Sequence, residues 1–376
     1  MKPETTAAGQ GTAARLWGKV QTDFGLARVI IVGLFVLMFV GAGLMDMNTA
    51  SFFGDVIRRW GMWGVIVLAM LPSIQSGVGP NFGVPLGILG GLVGATVSIE
   101  LNHRGLFGSI TNPYLNPIVL ALVAIVVALI ISVAIGILYG MLLNKVKGSE
   151  MAITVYVGFS AVALFNILWA MSPFITADIA ILPATGRGLR QMVNLDQDFG
   201  NAFDQLLRFE IGGMTVRLGL VLVFLVFCLI IWMFTRSRTG MMMSAAGANP
   251  NYARASGINV DKMRIIGTTL STALAAVGIV IYAQSFGFLQ YYAGPNAFTF
   301  QAVAAVLVGG ATVRRARVFD VIFGAFIFHG ILTIALPLAT ELLPPELRAG
   351  VPEMLRAIAT NGIILYALTK IKGGSR

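Results

Sequence analysis

The chain has 376 residues, of which 57% are hydrophobic and 11% charged, and its mean hydropathy is +0.85. It is more apolar and less charged than soluble globular domains, so the sequence describes a polytopic membrane protein. The net charge of +10 does not point to nucleic acid, because Lys and Arg fall between apolar runs and no basic stripe interleaved with aromatic residues occurs.

Lys2, Arg15, Lys19 and Arg28 precede the first apolar run, 29–45. A cleaved signal has a shorter basic region and a clear small-residue cleavage site, so this run is expected to stay as an uncleaved helix, with 1–28 as a cytoplasmic tail. Windows of about 20 apolar residues per crossing predict about ten helices. They lie near 29–45, 62–74, 82–99, 117–143, 151–171, 218–234, 265–286, 298–313, 321–338 and 354–369. The expected fold class is therefore all-α, with 29–376 as a single transmembrane domain.

Charge checks that count, because Lys and Arg collect in cytoplasmic loops. One set of alternate loops holds Lys145 and Lys147, then Arg236, Arg238, Arg254, Lys262 and Arg264, then Arg314, Arg315 and Arg317, and finally Lys370, Lys372 and Arg376. The other set holds 172–217, with Asp178, Asp196, Asp198, Asp204 and Glu210 against Arg187, Arg190, Arg208 and Arg217, and the loop with Glu341 and Glu346. Both termini are thereby placed in the cytoplasm and 172–217 outside it. Within that long segment, Phe203 to Phe209 has the spacing of a short amphipathic helix lying on the outer membrane surface. Trp60 and Trp63 are expected to be interfacial anchors, and Arg58 and Arg59 to sit in an outward loop, against the charge rule. Cys228, the single cysteine, lies in an apolar run, which excludes an internal disulfide and marks it as a small core residue.

A repeat then appears. Gly79-Pro80-Asn81-Phe82 precedes one apolar run, and Gly294-Pro295-Asn296-Ala297-Phe298 precedes another, 215 residues later. Each is followed by the same tripeptide, Leu92-Val93-Gly94 and Leu307-Val308-Gly309. The motif pair joins the third predicted helix to the eighth, an odd offset, which describes an inverted-topology repeat of helices 2–5 against 7–10. Gly and Pro at a helix start free backbone groups that hydrocarbon cannot satisfy, so such segments tend to line a cavity. Both motifs are therefore candidates for the solute pathway, and the same residues also suit a turn in which Asn caps the following helix. The two roles are compatible. Gly87, Gly90, Gly91, Gly94, Gly309, Gly310 and Gly324 mark where helices are expected to approach closely.

Bond-breaking chemistry finds little support. No Walker A, HExxH or GxSxG pattern occurs, so the chain is not expected to hydrolyse nucleotide or to be an enzyme, and it has no expected cofactor or metal of its own. His329 is expected to be a neutral core histidine bonded to a carbonyl or hydroxyl. Glu100, Arg217, Asp320 and Arg356 fall at predicted helix ends, which leaves no relay of ionisable groups within the membrane. A stand-alone secondary carrier or channel built on the inverted repeat is the alternative reading, and that scarcity argues against it.

Basic residues concentrate in the loop 235–264. It runs through Ala245-Ala246-Gly247-Ala248-Asn249-Pro250 and Ala253-Arg254-Ala255-Ser256-Gly257-Ile258-Asn259. Gly247 and Gly257 are expected to allow tight turns, and Asn249 to cap a helix with Pro250 at its first position. This stretch resembles the coupling segment of ABC-importer permeases of the ribose and branched-chain amino acid type. The resemblance continues in Gln301-Ala302-Val303-Ala304-Ala305-Val306-Leu307-Val308-Gly309-Gly310, while Ser76-Gly77-Val78-Gly79-Pro80-Asn81-Phe82 lacks the Asp that many sugar permeases carry after the second helix. What the resemblance implies is a coupling helix and turn formed by Ala246, Gly247, Asn249, Ala253, Arg254, Gly257 and Ile258, docked on an ATP-binding subunit. It further implies a bacterial inner-membrane complex of two permease subunits, identical or not, two subunits holding ATP and Mg, and an extracytoplasmic solute-binding protein. The few polar residues along the pathway favour a neutral solute such as a sugar or nucleoside.

Overall fold

The computed structural model describes residues 26–107, 112–171, 191–292 and 294–344, together with 351, 354, 355, 357, 358 and 360–365. Residues 1–25 of the expected tail, 172–190 of the long segment, Arg356 and much of the last predicted helix lie outside the described residues. The described chain forms α1 (Leu26–Leu44), α2 (Thr49–Leu68), α3 (Met70–Gln75), α4 (Val84–His103), α5 (Leu115–Lys145) and α6 (Glu150–Ala170). Strands β1 (Met192–Asn194), β2 (Arg208–Ile211) and β3 (Met214–Arg217) follow, then α7 (Leu218–Arg236), α8 (Arg238–Ala248), α9 (Pro250–Ala255) and α10 (Val260–Phe286). Strand β4 (Phe288–Gln290) leads to α11 (Gly294–Val308) and α12 (Val318–Leu342), and 360–365 is helical again.

Six of these helices, α4, α5, α6, α7, α10 and α12, are long and apolar enough to cross a membrane. Their burial sorts them into inner and outer members. In α4 and α10, 78% and 72% of the apolar window is buried, against 33%, 17% and 33% in α5, α6 and α7. The outer helices turn Ile130, Leu138, Leu164, Ile167, Leu229 and Met233 outward, more than half exposed, a surface suited to lipid. With no hydrophobic drive between helices in a bilayer, the inner ones must gain from close packing. A Cβ on Gly91 would lie 2.5 Å from the Ala276 carbonyl oxygen of α10, and one on Gly94 would lie 2.6 Å from that of Ala124 in α5. Helix α4 is thus wedged backbone to backbone between its neighbours, as its glycines led us to expect, and Gly309 meets Gly324 in the same way between α11 and α12.

The loops assigned to one side by charge do meet at one end of the bundle. Lys147 Nζ lies 2.5 Å from Asp261 Oδ1, and Arg264 Nη2 lies 2.6 Å from Glu150 Oε1. Gln75 Nε2 donates to the Ala316 carbonyl at 3.0 Å. At the other end, β1 pairs with β4, and β2 forms a hairpin with β3. Gly212 and Gly213, both at positive φ, turn that hairpin.

Four expectations are corrected. Helix α2 begins at Thr49, capped by the Asn48 side chain, rather than near Met62. Asp55, Arg58 and Arg59 lower its hydropathy without ending it, so Arg58 and Arg59 lie within a helix and not in a loop. Trp60 and Trp63 are packing residues: Trp60 Nε1 donates to the Ile322 carbonyl of α12 at 2.9 Å, and Trp63 is buried. Finally, Phe203 to Phe209 is a turn running into β2, not a surface helix. Its Phe203 and Asp204 point into the bundle, because the buried Asp204 carboxylate is held there by Arg58, Arg217 and Ser285.

Candidate coupling surface and solute pathway

The basic loop is built as two short helices with a cap at every joint. The side chain of Ser237 accepts from Gly240 N to start α8. Asn249 Oδ1 accepts from Tyr252 N at 3.0 Å, with Pro250 at the first position of α9. Gly257, at φ +80°, closes α9: its N–H donates to the Arg254 carbonyl while that of Ile258 donates to Ala253. Those are the two bonds of a Schellman turn. Asn259 then caps α10 through Lys262 N. The expected cap and the Gly257 turn are therefore present.

Seven residues were expected to act as one surface, and the structure sorts them. Ala246 and Ala253 are buried with Met243, Val260 and Met263 in a small cluster that anchors the loop, against which Ile258 packs. Gly247 is not a turn residue: it lies inside α8, where a Cβ would sit 2.8 Å from Gly77 N and closer still to the Gln75 carbonyl. Gly77, at φ +80°, faces it in return, with its own Cβ position 2.8 Å from Gly247 Cα. Helix α8 thus rests directly on the chain leading into the first Gly-Pro-Asn motif. Arg254 is exposed, and Tyr252, which sequence reasoning missed, is 71% exposed beside it. An aromatic residue between motif positions on a six-residue helix was the available signal.

The two Gly-Pro-Asn motifs differ in setting. Gly79 and Pro80 form a turn before α4, and Ser73 Oγ donates to the Gly79 carbonyl at 2.8 Å. Asn81 is fully buried. Its Oδ1 accepts from Gly83 N at 2.9 Å and from the Tyr139 hydroxyl at 3.1 Å, while Nδ2 donates to Ser271 Oγ at 2.8 Å. It therefore pins the start of α4 to α5 and α10. Gly294 and Pro295 instead form the first turn of α11, where Asn296 is half-buried. Phe82 and Asn296 line one narrow crevice together with Pro85, Gly158 and Thr299. The Phe82 ring lies 5.9 Å from that of Phe300.

Phe298 leads to a larger space. Its buried ring packs 4.9 Å from Trp63 and 4.8 Å, edge-on, from Tyr282. The Trp63 and Tyr282 rings line two neighbouring pockets, about 450 and 410 Å³, that share Arg59, Trp63, Tyr282, Phe286 and Leu332. Gln301 and His329 line the second of these pockets. His329 stacks on Trp63 at 4.3 Å, and its buried Nε2 has no hydrogen-bond partner among the described residues, where a bonded core histidine was expected.

Residues 20–368 match the family described as branched-chain amino acid transport system / permease component. The chain is similar to the nucleoside ABC transporter permease protein NupB of Lactococcus lactis, 26% identical over 162 residues, which cover 42% of this chain and 43% of that protein. It is also similar to the fructose import permease protein FrcC of Rhizobium meliloti, 30% identical over 132 residues, 35% and 36% of the two chains. A third relative is the autoinducer 2 import system permease protein LsrC of Yersinia pestis, 28% identical over 98 residues, 26% and 28% of the two. The matched stretch spans less than half the length of each of these relatives.

Proposed function

Because the chain belongs to the family of branched-chain amino acid transport system permease components, we propose that it is the membrane-spanning subunit of an ATP-driven, binding-protein-dependent importer. Two such subunits would pair, alike or different, with two ATP-binding subunits that hold ATP and Mg and with an external solute-binding protein. The chain would lie in a bacterial inner membrane with 1–28 and the carboxyl terminus in the cytoplasm and 172–217 outside. About ten crossings in an inverted repeat remain our reading of its topology. In support, the first Gly-Pro-Asn motif follows a turn at the end bearing α8, whereas the second follows β4 at the strand-bearing end. The solute would be a sugar or nucleoside, the classes that two of the relatives are named for.

One observation carries the reading: α9 is capped at both ends and held by a buried foot, while Tyr252 and Arg254 face outward. A loop that merely solvates charge has no need of such rigidity. Closure of the ATP-binding subunits would push α9, and α8 would pass the displacement to Gln75–Gly77 and so to the start of α4. ATP biases two arrangements of the bundle, and this chain supplies the difference between them.

Co-purification tests the coupling surface. Expressed with a cognate ATP-binding subunit, the chain should bring that subunit down, and Tyr252→Ala with Arg254→Glu should lose most of it. Neither residue is buried, so the variant is expected to fold, and undiminished capture with normal uptake would sink the assignment. Uptake by ATP-free proteoliposomes under an ion gradient alone would favour a secondary carrier instead.

A further inference from the structure

We propose that the groove along the seam of α5 and α10 seats one anionic glycerophospholipid, with an acyl chain between the helices and the headgroup at Lys262. The inference rests on the membrane-spanning reading and on the placing of this end in the cytoplasm. Glycines draw the two helices together: a Cβ on Gly136 would lie 2.8 Å from Thr269 Cα, and one on Gly140 would lie 2.9 Å from Ile265 Cα. Beside that seam a groove of about 550 Å³ opens between Ile137 of α5 and the start of α10. Lys262, Ile265, Ile266, Thr269 and Leu270 form its other wall. They recur at i, i+3, i+4, i+7 and i+8, so one stripe of α10 is charged at its start and mainly apolar beyond.

Length and charge choose the occupant. From the Asn259 cap to Leu270 the helix rises about 16 Å, about half the thickness of a bilayer's hydrocarbon core. The groove is thus one leaflet deep, with its polar rim toward the membrane surface. Leu138, next to Ile137, is more than half exposed, so the groove opens on a face suited to lipid. At the rim, Asp261 is taken by Lys147 at 2.5 Å, and its carbonyl accepts from Asn144 Nδ2 at 2.9 Å. Arg264 is taken in the same way by Glu150. Lys262 is exposed and has no ion pair among the described residues, and Lys145, next to Asn144, is exposed too. A phosphate at this rim therefore meets cations that nothing else neutralises, whereas a zwitterionic headgroup brings its own cation and gains less. Because the groove starts two residues after Gly257 closes α9, the lipid sits against the joint between α9 and α10.

Photo-crosslinking tests the seat. The full chain is placed in phosphatidylcholine nanodiscs that hold, as a minor share, either phosphatidylglycerol or phosphatidylcholine with a diazirine in one acyl chain. Adducts at 137 and 265–270 should be about fivefold more abundant with the phosphatidylglycerol probe, the effect of one basic residue at an anionic lipid. Adducts at Val226, exposed on α7, should not distinguish the two probes. Lys262→Gln should bring the ratio at the groove close to one. Ile137→Trp, which fills the groove, should lose most adducts at 265–270 without lowering the melting midpoint. Equal labelling by both probes, or a preference that survives Lys262→Gln, would mean unselected boundary lipid and overturn the assignment. So would a disulfide between two copies of Ile137→Cys in a Cys228→Ala background, since a second copy would then cover the groove. Those results would leave the permease reading standing, because the labelling is done without the ATP-binding subunit. Failure of co-purification would sink that reading whatever the lipid probes show.

Discussion

At the scale of single residues, Asn81 and Asn296 share a motif and differ in what they hold. Asn81 ties Gly83, Tyr139 and Ser271 together in a fully buried site. Replacing it by Leu strands three polar groups, each worth about 1 kcal/mol or more when left unpaired, so Asn81→Leu should cost about 3 kcal/mol. The melting midpoint in detergent should fall by several degrees, with a smaller fall for Tyr139→Phe. Asn296 is half-buried along the crevice with Phe82. Its change to Leu should leave the melting midpoint within about 1 °C, since partly exposed substitutions away from a network are near neutral, while solute uptake drops. Equal melting of both variants would show that the buried network carries no stability. The motif was legible in the sequence as a pair of unusual helix starts. Its division of labour was not, because that depends on Tyr139 and Ser271, which lie 58 and 190 residues from Asn81.

Among elements, the contact of α8 with the turn after α3 is where, on the proposed permease reading, a push on α9 would pass toward the start of α4. Two glycines meet there, and neither tolerates a side chain: Gly77 for its positive φ and Gly247 for the Gln75 carbonyl beside it. Gly247→Val should therefore shift α8 outward while leaving the exposed face of α9 intact. The ATP-binding subunit should still co-purify, whereas solute uptake per ATP hydrolysed should fall roughly tenfold, a coupling loss of about 1.4 kcal/mol. Loss of the subunit itself would mean that α8 serves docking and not transmission. The caps at Asn249 and Gly257 could be read from the chain because they are local rules of helix ends. Gly247 was misread as a turn for the opposite reason. Its need for space comes from a segment about 170 residues away, and local pattern carries no trace of it.

For the whole molecule, the strand-bearing end depends on a buried charge cluster that fastens its segment to the bundle. Asp204, 2% exposed, faces Arg58 Nε at 3.2 Å and Arg217 Nε at 3.6 Å, and accepts from Ser285 Oγ at 2.7 Å. Gln284 reinforces the joint by accepting from Phe203 N at 3.1 Å. Burial, and then the like charge of Arg58, push the Arg217 guanidinium below the usual arginine value, and Asp204 opposes them. Two cations thus depend on one carboxylate. Apolar runs revealed the helices from sequence because each crossing carries its own signal. This joint gave none, since its members come from α2, the turn before β2, the end of β3 and the end of α10. The asymmetry of the cluster sets an order of effects. Asp204→Asn leaves two half-buried arginines facing each other and should cost about 2 kcal/mol, less than the 3–5 kcal/mol of a fully buried broken pair. Arg58→Met should cost less, because Asp204 keeps Arg217 and Ser285. Thermal melting would rank the two, and limited proteolysis within 191–217 should rise most in Asp204→Asn. The reverse ranking would place the organising charge on Arg58, and the strand-bearing segment would then hang from α2 alone.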